Sequence, residues 1–206
     1  MSVDATRREQ WLHRIASRPM AYDFIQWAAG RPAVYRHVRA LMRFPAGALV
    51  LDVGGGTGNL KPQLRNGERH VCVDIERPKL DGYVSKFRDA RPLQGDATCL
   101  PVRDGVADVV ALSSVTHHLT DSQLDSVFSE AARVLRPGGV LFVCDAVWSP
   151  SHRAGRLLWR YDRGSHPRTT EQIDAALTRS FRVVQKSEFS VVHAFAAFLC
   201  RPVNAP

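Results

Sequence analysis

The segment VLDVGGGTG at residues 50–58 decides the fold of this chain. An apolar stretch runs directly into glycines, and Gly54, Gly56 and Gly58 stand at every second position. Glycine permits a sharp turn and lets a ligand lie against the main chain, and a helix that follows would offer its unpaired amide donors. The segment therefore predicts a strand, a ligand-binding loop and a helical stretch from Asn59.

Apolar runs alternate with helical patterns along the rest of the chain, which is typical of an α/β fold. The predicted strands are 48–54, 70–75, 91–96, 107–115, 140–147, 181–189 and 193–200. The last two runs follow each other across only a few residues and should pair as an antiparallel hairpin at one edge. We expect a mostly parallel seven-stranded sheet with an antiparallel C-terminal hairpin and helices on both faces.

Two of the predicted helices begin with capping boxes. Thr120 and Gln123 precede the apolar stripe of TDSQLDSVFSEAARVL, and Thr169 and Gln172 open EQIDAALTRS. In a capping box each side chain bonds the other residue's backbone amide, which satisfies donors that a helix start leaves unpaired. The two boxes therefore predict where these helices begin.

The other helical segments are less regular. We expect helices over 6–17 and 22–42, the second interrupted at Gly30-Arg31-Pro32. The segment ERPKLDGYVSKFRDA at 76–90 contains both a proline and a glycine, so no helix is predicted there. Tyr22 and its aromatic neighbours in the N-terminal helices could cover a ligand, although anchoring in the core is the favoured interpretation.

Length and composition suit one globular domain, because 206 residues with 45% hydrophobic content can build a full core. We divide 1–206 into N-terminal helices at 1–45, a ligand-binding core at 46–147, and an insertion with the C-terminal hairpin at 148–206. The polar start lacks the apolar stretch of a secretory signal, and no apolar run is long enough for a membrane span. We therefore expect a cytoplasmic protein.

The spacing of the four cysteines and the distribution of the arginines each argue against a class of site. Cys72, Cys99, Cys144 and Cys200 lie far apart with no CxxC spacing, so we predict neither a metal site nor a disulfide framework. The formal net charge is +8, which suits an anionic partner. Because the arginines are scattered through every segment, a generally basic surface is favoured over a dedicated nucleic-acid site.

VLDVGGGTG resembles the first motif of the class I S-adenosylmethionine-dependent methyltransferases, in a type 11 methyltransferase-like form. Three further segments, VCVDIE, GDA and LRPGGVLFVCDAV, match later family elements in the same order. The resemblance covers residues 46–147 and implies a Rossmann-like fold. It also implies S-adenosyl-L-methionine as cofactor and S-adenosyl-L-homocysteine as product.

The resemblance assigns roles to three acidic residues. Asp74 ends the second strand and is expected to bind the two ribose hydroxyls, while Asp96 is expected to accept from the adenine amino group. Asp52 either contacts the cofactor or only pins the turn. The implied cofactor-binding residues are Asp52, Gly54, Gly55, Gly56, Gly58, Asp74, Ile75, Asp96, Ala97 and Ser113.

Candidate acceptor residues follow the fourth and fifth strands. His117 and His118 are the predicted catalytic residues, since a histidine can act as general base for a hydroxyl acceptor. Their alternative roles are capping of local backbone and packing under the following helix. The segment WRYDRGSH at 159–166 could bind the acceptor or could be a solvated helix end.

These features favour a methyltransferase that transfers a methyl group to oxygen or nitrogen of a small-molecule metabolite. An RNA methyltransferase is the first alternative, because of the net charge and of the arginines before Phe44. A non-catalytic S-adenosylmethionine-binding subunit is the second. A nicotinamide-dependent oxidoreductase is disfavoured, because GxGxxG would need a glycine where Asn59 stands.

Overall fold

The computed structural model describes residues 30–152, 159 and 166–203. Its helices are α1 (Arg31–Val38), α2 (Arg77–Lys86), α3 (Asp121–Val134) and α4 (Thr170–Leu177). Its strands are β1 (Leu49–Val53), β2 (Arg69–Asp74), β3 (Pro92–Gln94), β4 (Ala107–Ser113), β5 (Leu135–Val147), β6 (Phe181–Ser190) and β7 (Ala194–Pro202). Short 3₁₀ turns occur at Lys61–Gln63 and Thr116–His118.

The described strands form one seven-stranded sheet in the order β3-β2-β1-β4-β5-β7-β6. The strand pairs from β3 through β5 are parallel, whereas β7 is antiparallel to both β5 and β6. The predicted sheet and its C-terminal hairpin are confirmed. The order reverses at β1, which lies between β2 and β4, and open α/β sheets bind ligands at the carboxyl ends of strands beside such a reversal.

Helices cover both faces, and successive strand residues point to opposite sides. On one face, α3 and α4 pack against Leu51 and Val110 and their neighbours. On the other, α1 packs against Val50 and Val109, and α2 packs against Cys72. No helix in the described part of the chain has the length and apolarity of a membrane span.

The structure describes the helix expected over 22–42 only from Gly30 onward. α1 begins directly after Gly30, whose φ of +84° is left-handed. Both capping boxes are also formed, with Thr120 and Thr169 accepting from the backbone amides of Gln123 and Gln172. The helix predicted over 6–17 and the aromatic residues Tyr22, Phe24 and Trp27 lie outside the described residues.

Two helix predictions are wrong. No regular helix follows Asn59, where only the 3₁₀ turn Lys61–Gln63 forms. By Asn66 the polypeptide has returned to the amino end of β1, where the Asn66 carbonyl accepts from Gly47 N. The connection from β1 to β2 is therefore too short for a longer helix.

The segment 76–90, for which no helix was predicted, contains α2. Its Pro78 occupies the first turn, where a missing N–H costs nothing. Burial of Leu80 and Tyr83 offsets the poor helix propensity of the glycine between them. Tertiary contact therefore decides this helix, which supports the site from below.

Candidate active site

The glycine-rich loop is tied to the end of the neighbouring strand β2. Gly54 N and Gly55 N both donate to Val73 O, at 2.8 and 3.1 Å. Gly56 N donates to Asp74 Oδ2 at 2.9 Å. These bonds fix the loop over the carboxyl ends of β1 and β2, which places the predicted glycines at the topological switch of the sheet.

Asp74 is a buried carboxylate that bridges two loops. Its second oxygen, Oδ1, accepts from Glu76 N at 2.8 Å. Burial raises the pKa of Asp74 and outweighs the opposing effects of Lys79 and of the amides of Glu76 and Gly56. Each oxygen has a second lone pair, so the carboxylate can still accept from two hydroxyls.

The Asp52 carboxylate lies beneath the loop and makes one hydrogen bond with the described residues. Its Oδ2 is 3.0 Å from His70 Nε2, and His70 Nδ1 is 2.9 Å from the Tyr83 hydroxyl. Its other oxygen, Oδ1, is buried and has no hydrogen-bond partner among the described residues. The carboxylate is thus pinned to β2 by one oxygen while the other remains unsatisfied.

Two glycines of the loop are required by the protein's own packing. A Cβ built on Gly55 would lie 2.6 Å from Asp52 Oδ2, and one built on Gly58 would lie 2.2 Å from Tyr83 Cδ2. Gly58 also has a φ of +76°, which side chains other than glycine rarely adopt. The loop therefore sits directly on the side chains below it, a role that the sequence pattern does not reveal.

The predicted adenine side lies next to Asp74. Ile75 is 64% exposed, which is unusual for a large apolar side chain and leaves it open to a flat ligand. Asp96 follows β3, and its Oδ1 accepts from both the amide and the hydroxyl of Thr98, which lower the pKa of Asp96. Because Asp74 pairs with Gln94 in register, Ile75, Asp96 and Ala97 lie at the same edge.

The two predicted catalytic histidines differ in their surroundings. His117 is buried, and its Nδ1 lies 2.5 Å from Asp145 Oδ1, whereas His118 is exposed and its ring centre is 4.1 Å from that of His117. Just before them, Ser113 ends β4 half-buried, and Ser114 is the one described non-glycine residue with positive φ, at +59°. Such strain concentrates at functional sites.

Asp145 organises the loop that carries His117. Its Oδ2 accepts from the amide and the hydroxyl of Thr116, each at 2.6 Å, and Oδ1 also accepts from Ala146 N. Burial alone would raise the pKa of Asp145, but the nearby His117 and the Thr116 donors outweigh it, so this pKa lies below the ordinary range. Sequence reasoning missed Asp145, although it is the one charged residue in the apolar run VLFVCDAV.

Arg168, also missed, fastens the same loop from the other side. Its guanidinium is buried and donates to Thr116 O and Leu119 O, both at 2.7 Å. It also pairs with Asp121 at 2.6 Å. In the sequence, nothing distinguishes Arg168 from the many other arginines. Its role arises from contacts with residues about fifty positions away in the chain.

Rings line the region beyond His117. The Trp159 ring centre is 5.9 Å from that of His117 and 5.6 Å from that of His193, and both ring pairs are edge-to-face. His166 N donates to His117 O at 3.1 Å. Two residues of the predicted acceptor segment therefore reach His117, while 160–165 lie outside the described residues.

Comparison with known proteins agrees with this architecture. A family model described as a methyltransferase domain matches residues 51–143. A malonyl-[acyl-carrier protein] O-methyltransferase from Geobacter sulfurreducens is 34% identical, over 89% of this chain and 73% of that protein. The chain belongs to the class I S-adenosylmethionine-dependent methyltransferases. S-adenosyl-L-methionine is therefore the cofactor of this methyltransferase.

Two further comparisons show how far the likeness extends. An uncharacterized methyltransferase from Mycobacterium sp. (strain JLS) is 33% identical over 50% of this chain, which spans only 41% of that relative. The solved geranyl diphosphate C-methyltransferase from Streptomyces coelicolor A3(2) superimposes with a TM-score of 0.69, covering 84% of this chain and 79% of that chain. At 13% identity, this second likeness is one of fold.

Proposed function

We propose that this methyltransferase binds its cofactor along the carboxyl ends of β1, β2 and β3. Two buried polar atoms without described partners flank the glycine loop, the acceptor Asp52 Oδ1 and the donor Asn59 Nδ2. An unsatisfied buried group is costly, and the ammonium and carboxylate of an amino acid would complement this pair. The observation supports placing the methionine end of the cofactor here, with Gly54, Gly55, Gly56 and Gly58 against its backbone.

The adenosine end is assigned to the side of β2 and β3. Asp74 presents its remaining lone pairs to the two ribose hydroxyls, and the exposed Ile75 offers an apolar wall to the adenine. Asp96 accepts from the adenine amino group, beside Ala97. Ser113, at the end of β4, borders the transferred methyl group on the acceptor side.

We propose that the acceptor is a small molecule methylated on a hydroxyl oxygen or an amine nitrogen. The bond between His117 Nδ1 and Asp145 carries this proposal. In the neutral ring Nδ1–H donates to the carboxylate, so the lone pair lies on Nε2, which can take a proton. S-adenosylmethionine, when bound, supplies a methyl group attached to a sulfonium.

The chain's own contribution is then alignment and proton removal. As the acceptor oxygen or nitrogen gains the methyl group, its proton passes to His117 Nε2, and the buried Asp145 stabilises the imidazolium that forms. Asp145 also holds the ring orientation, as carboxylates do for metal-bound and catalytic histidines. His118 is exposed and is assigned to the rim, where it contacts the acceptor or solvent.

The RNA alternative is favoured by one surface. Arg36, Arg39, Arg43 and Arg65 line a groove of about 430 Å³ together with a single carboxylate, Glu68. None of these four guanidinium groups forms an ion pair with another described residue. The groove lies where Asn66 meets Gly47, at the amino end of β1. RNA held there would sit at the edge opposite His117, so the small-molecule acceptor is preferred.

The test uses methyl-labelled S-adenosylmethionine and a host extract separated into small molecules, lipids, RNA and protein. We expect label in a small-molecule or lipid fraction, and its loss with His117→Gln. Label in RNA that disappears as salt is added would establish the alternative. No label in any fraction, with S-adenosylhomocysteine binding intact, would contradict catalysis and indicate a non-catalytic cofactor-binding subunit.

A further inference from the structure

A buried hydrogen-bonded chain of three side chains lies beneath the glycine-rich loop. It runs from Asp52 on β1 through His70 on β2 to Tyr83 on α2, with bonds of 3.0 and 2.9 Å. All three residues are at most 2% exposed. Burying a carboxylate, an imidazole and a phenol together costs free energy unless each group has a hydrogen-bond partner. This cost indicates that the hydrogen-bonded chain has a function.

The direction of donation along the chain follows from its ends. Burial, ahead of all other influences, raises the pKa of Tyr83 to about 12, so its hydroxyl keeps its proton at neutral pH. That oxygen accepts from Arg91 N at 3.3 Å and donates to His70 Nδ1, which at 2.9 Å is much nearer than its other acceptor, His70 O, at 3.5 Å. His70 then carries its own proton on Nε2 and donates it to Asp52 Oδ2. Every member is satisfied except Asp52 Oδ1.

This arrangement leaves a negative charge with one unsatisfied oxygen. With Tyr83 donating to Nδ1, the His70 ring donates through Nε2–H to one oxygen of the Asp52 carboxylate, and the other oxygen stays available to a cation. The same residues touch the loop, since the Tyr83 ring lies against Gly58 and Asp52 lies against Gly55. The hydrogen-bonded chain thus links the position of the Asp52 carboxylate to the position of the glycine-rich loop.

We propose that His70 and Tyr83 are positioning residues for the cofactor, which hold Asp52 so that its second oxygen faces the ammonium of the amino-acid end. This inference rests on the proposed placement of that end beside Asp52. Neither residue contacts the cofactor in this proposal, and both act through the carboxylate. If the two residues had a purely structural role, their substitution would instead weaken the binding of all parts of the cofactor equally.

The experiment compares two ligands by calorimetry. S-adenosylhomocysteine carries the amino-acid end, whereas 5′-methylthioadenosine lacks it, so the ratio of their affinities isolates the contribution of that end. Asp52→Asn tests the placement itself. Tyr83→Phe removes a single oxygen, His70→Leu removes both hydrogen bonds, and His70→Gln retains an amide donor for Asp52.

We expect Tyr83→Phe to lower the affinity ratio about threefold to tenfold, the usual value of one hydrogen bond. His70→Leu should lower it at least as much, and His70→Gln should restore part of it. Phe87→Leu is the matched control, because Phe87 packs on Tyr83 at 5.4 Å without joining the chain. It should lower the melting temperature and leave the ratio unchanged.

The two failures are distinguishable. If Asp52→Asn lowers the ratio but Tyr83→Phe and His70→Leu weaken both ligands equally or neither, the positioning role is wrong and the placement of the amino-acid end stands. If Asp52→Asn leaves the ratio unchanged, the placement is wrong and the inference fails with it. Should His70→Leu not fold, Tyr83→Phe and His70→Gln decide the question.

Discussion

The carboxyl ends of the strands form one edge of the sheet, and the two halves of this edge are stabilised by different kinds of contact. On the side of β1, β2 and β3, the loop is fixed by main-chain amides that donate to Val73 O and to Asp74, all within a short stretch of chain. On the side of β4 and β5, the His117 loop is fixed by the side chains of Asp145 and Arg168, which come from distant segments.

The difference explains why the half with the glycine loop can be predicted from a sequence and the half with the His117 loop cannot. Backbone recognition needs glycines in a tight turn and an acidic residue at a strand end, so it leaves short local patterns in the sequence. Side-chain recognition needs only that two residues meet in space, and many spacings satisfy that. We therefore expect substitutions in the two halves to separate cofactor binding from methyl transfer.

The largest effect is expected on the acceptor side. His117→Gln should lower kcat about 10²- to 10⁴-fold, the usual contribution of a general base, with S-adenosylhomocysteine affinity unchanged. The exposed neighbour His118→Gln is the matched control and should have a much smaller effect. Steady-state kinetics with the acceptor identified from the labelled fraction measures both. Equal losses in the two variants would contradict the assignment of His117 as the base.

The next effect is expected on stability, in the cofactor half. Gly58 and Gly67 both have left-handed φ values, +76° and +72°, but only Gly58 lies against other atoms. Gly67→Ala should cost about 1 kcal/mol of unfolding free energy from backbone strain. Gly58→Ala should cost about 3 kcal/mol, because its methyl group also collides with Tyr83. Urea denaturation compares them, and similar costs would show that the loop does not rest on Tyr83.

A third substitution tests how the acceptor loop is held. Arg168→Lys keeps a positive charge but cannot donate to Thr116 O and Leu119 O together, because lysine lacks the planar fork of donors. We expect kcat/KM to fall about tenfold, equivalent to about 1.4 kcal/mol, with cofactor affinity unchanged. Arg179→Lys, on an exposed ion pair with Asp125, should leave kcat/KM unchanged. A loss of cofactor affinity in Arg168→Lys would show that the two halves are not separable.

The smallest effect concerns pH and Asp74. Because burial raises the pKa of this carboxyl, it gains a proton earlier than an ordinary aspartate as the pH falls, and a protonated carboxyl accepts fewer hydroxyls. S-adenosylhomocysteine affinity should therefore decline as the pH falls through that raised pKa. Asp74→Asn should lower affinity at neutral pH by about 1 kcal/mol and abolish this decline.

Asp96→Asn is the control for that titration. Thr98 lowers the pKa of Asp96, so its protonation falls at lower pH, and the variant should retain the decline caused by Asp74. Calorimetric titration across the acidic range measures the affinities. A wild-type protein whose affinity stays constant through this range would contradict the role given to Asp74.

Much of the fold could be predicted because its signals are local. The alternation of apolar runs and the two capping boxes depend on residues within a few positions of each other, and all of these elements form. α2 could not be predicted, because the burial of Leu80 and Tyr83 against the sheet outweighs the helix-breaking tendency of its proline and glycine. The helix expected after Asn59 is absent for a similar reason, since the chain must return to β2 within a few residues.

For the candidate site, the sequence by itself determined the glycine loop and the order of the acidic residues Asp52, Asp74 and Asp96, because strand ends and turns are encoded by neighbouring residues. The tertiary structure decided which of two adjacent histidines is buried against Asp145, and it joined Asp52 to His70 and Tyr83. These are contacts between segments that are distant in the chain. Their geometry depends on how strands and helices pack, which no local pattern specifies.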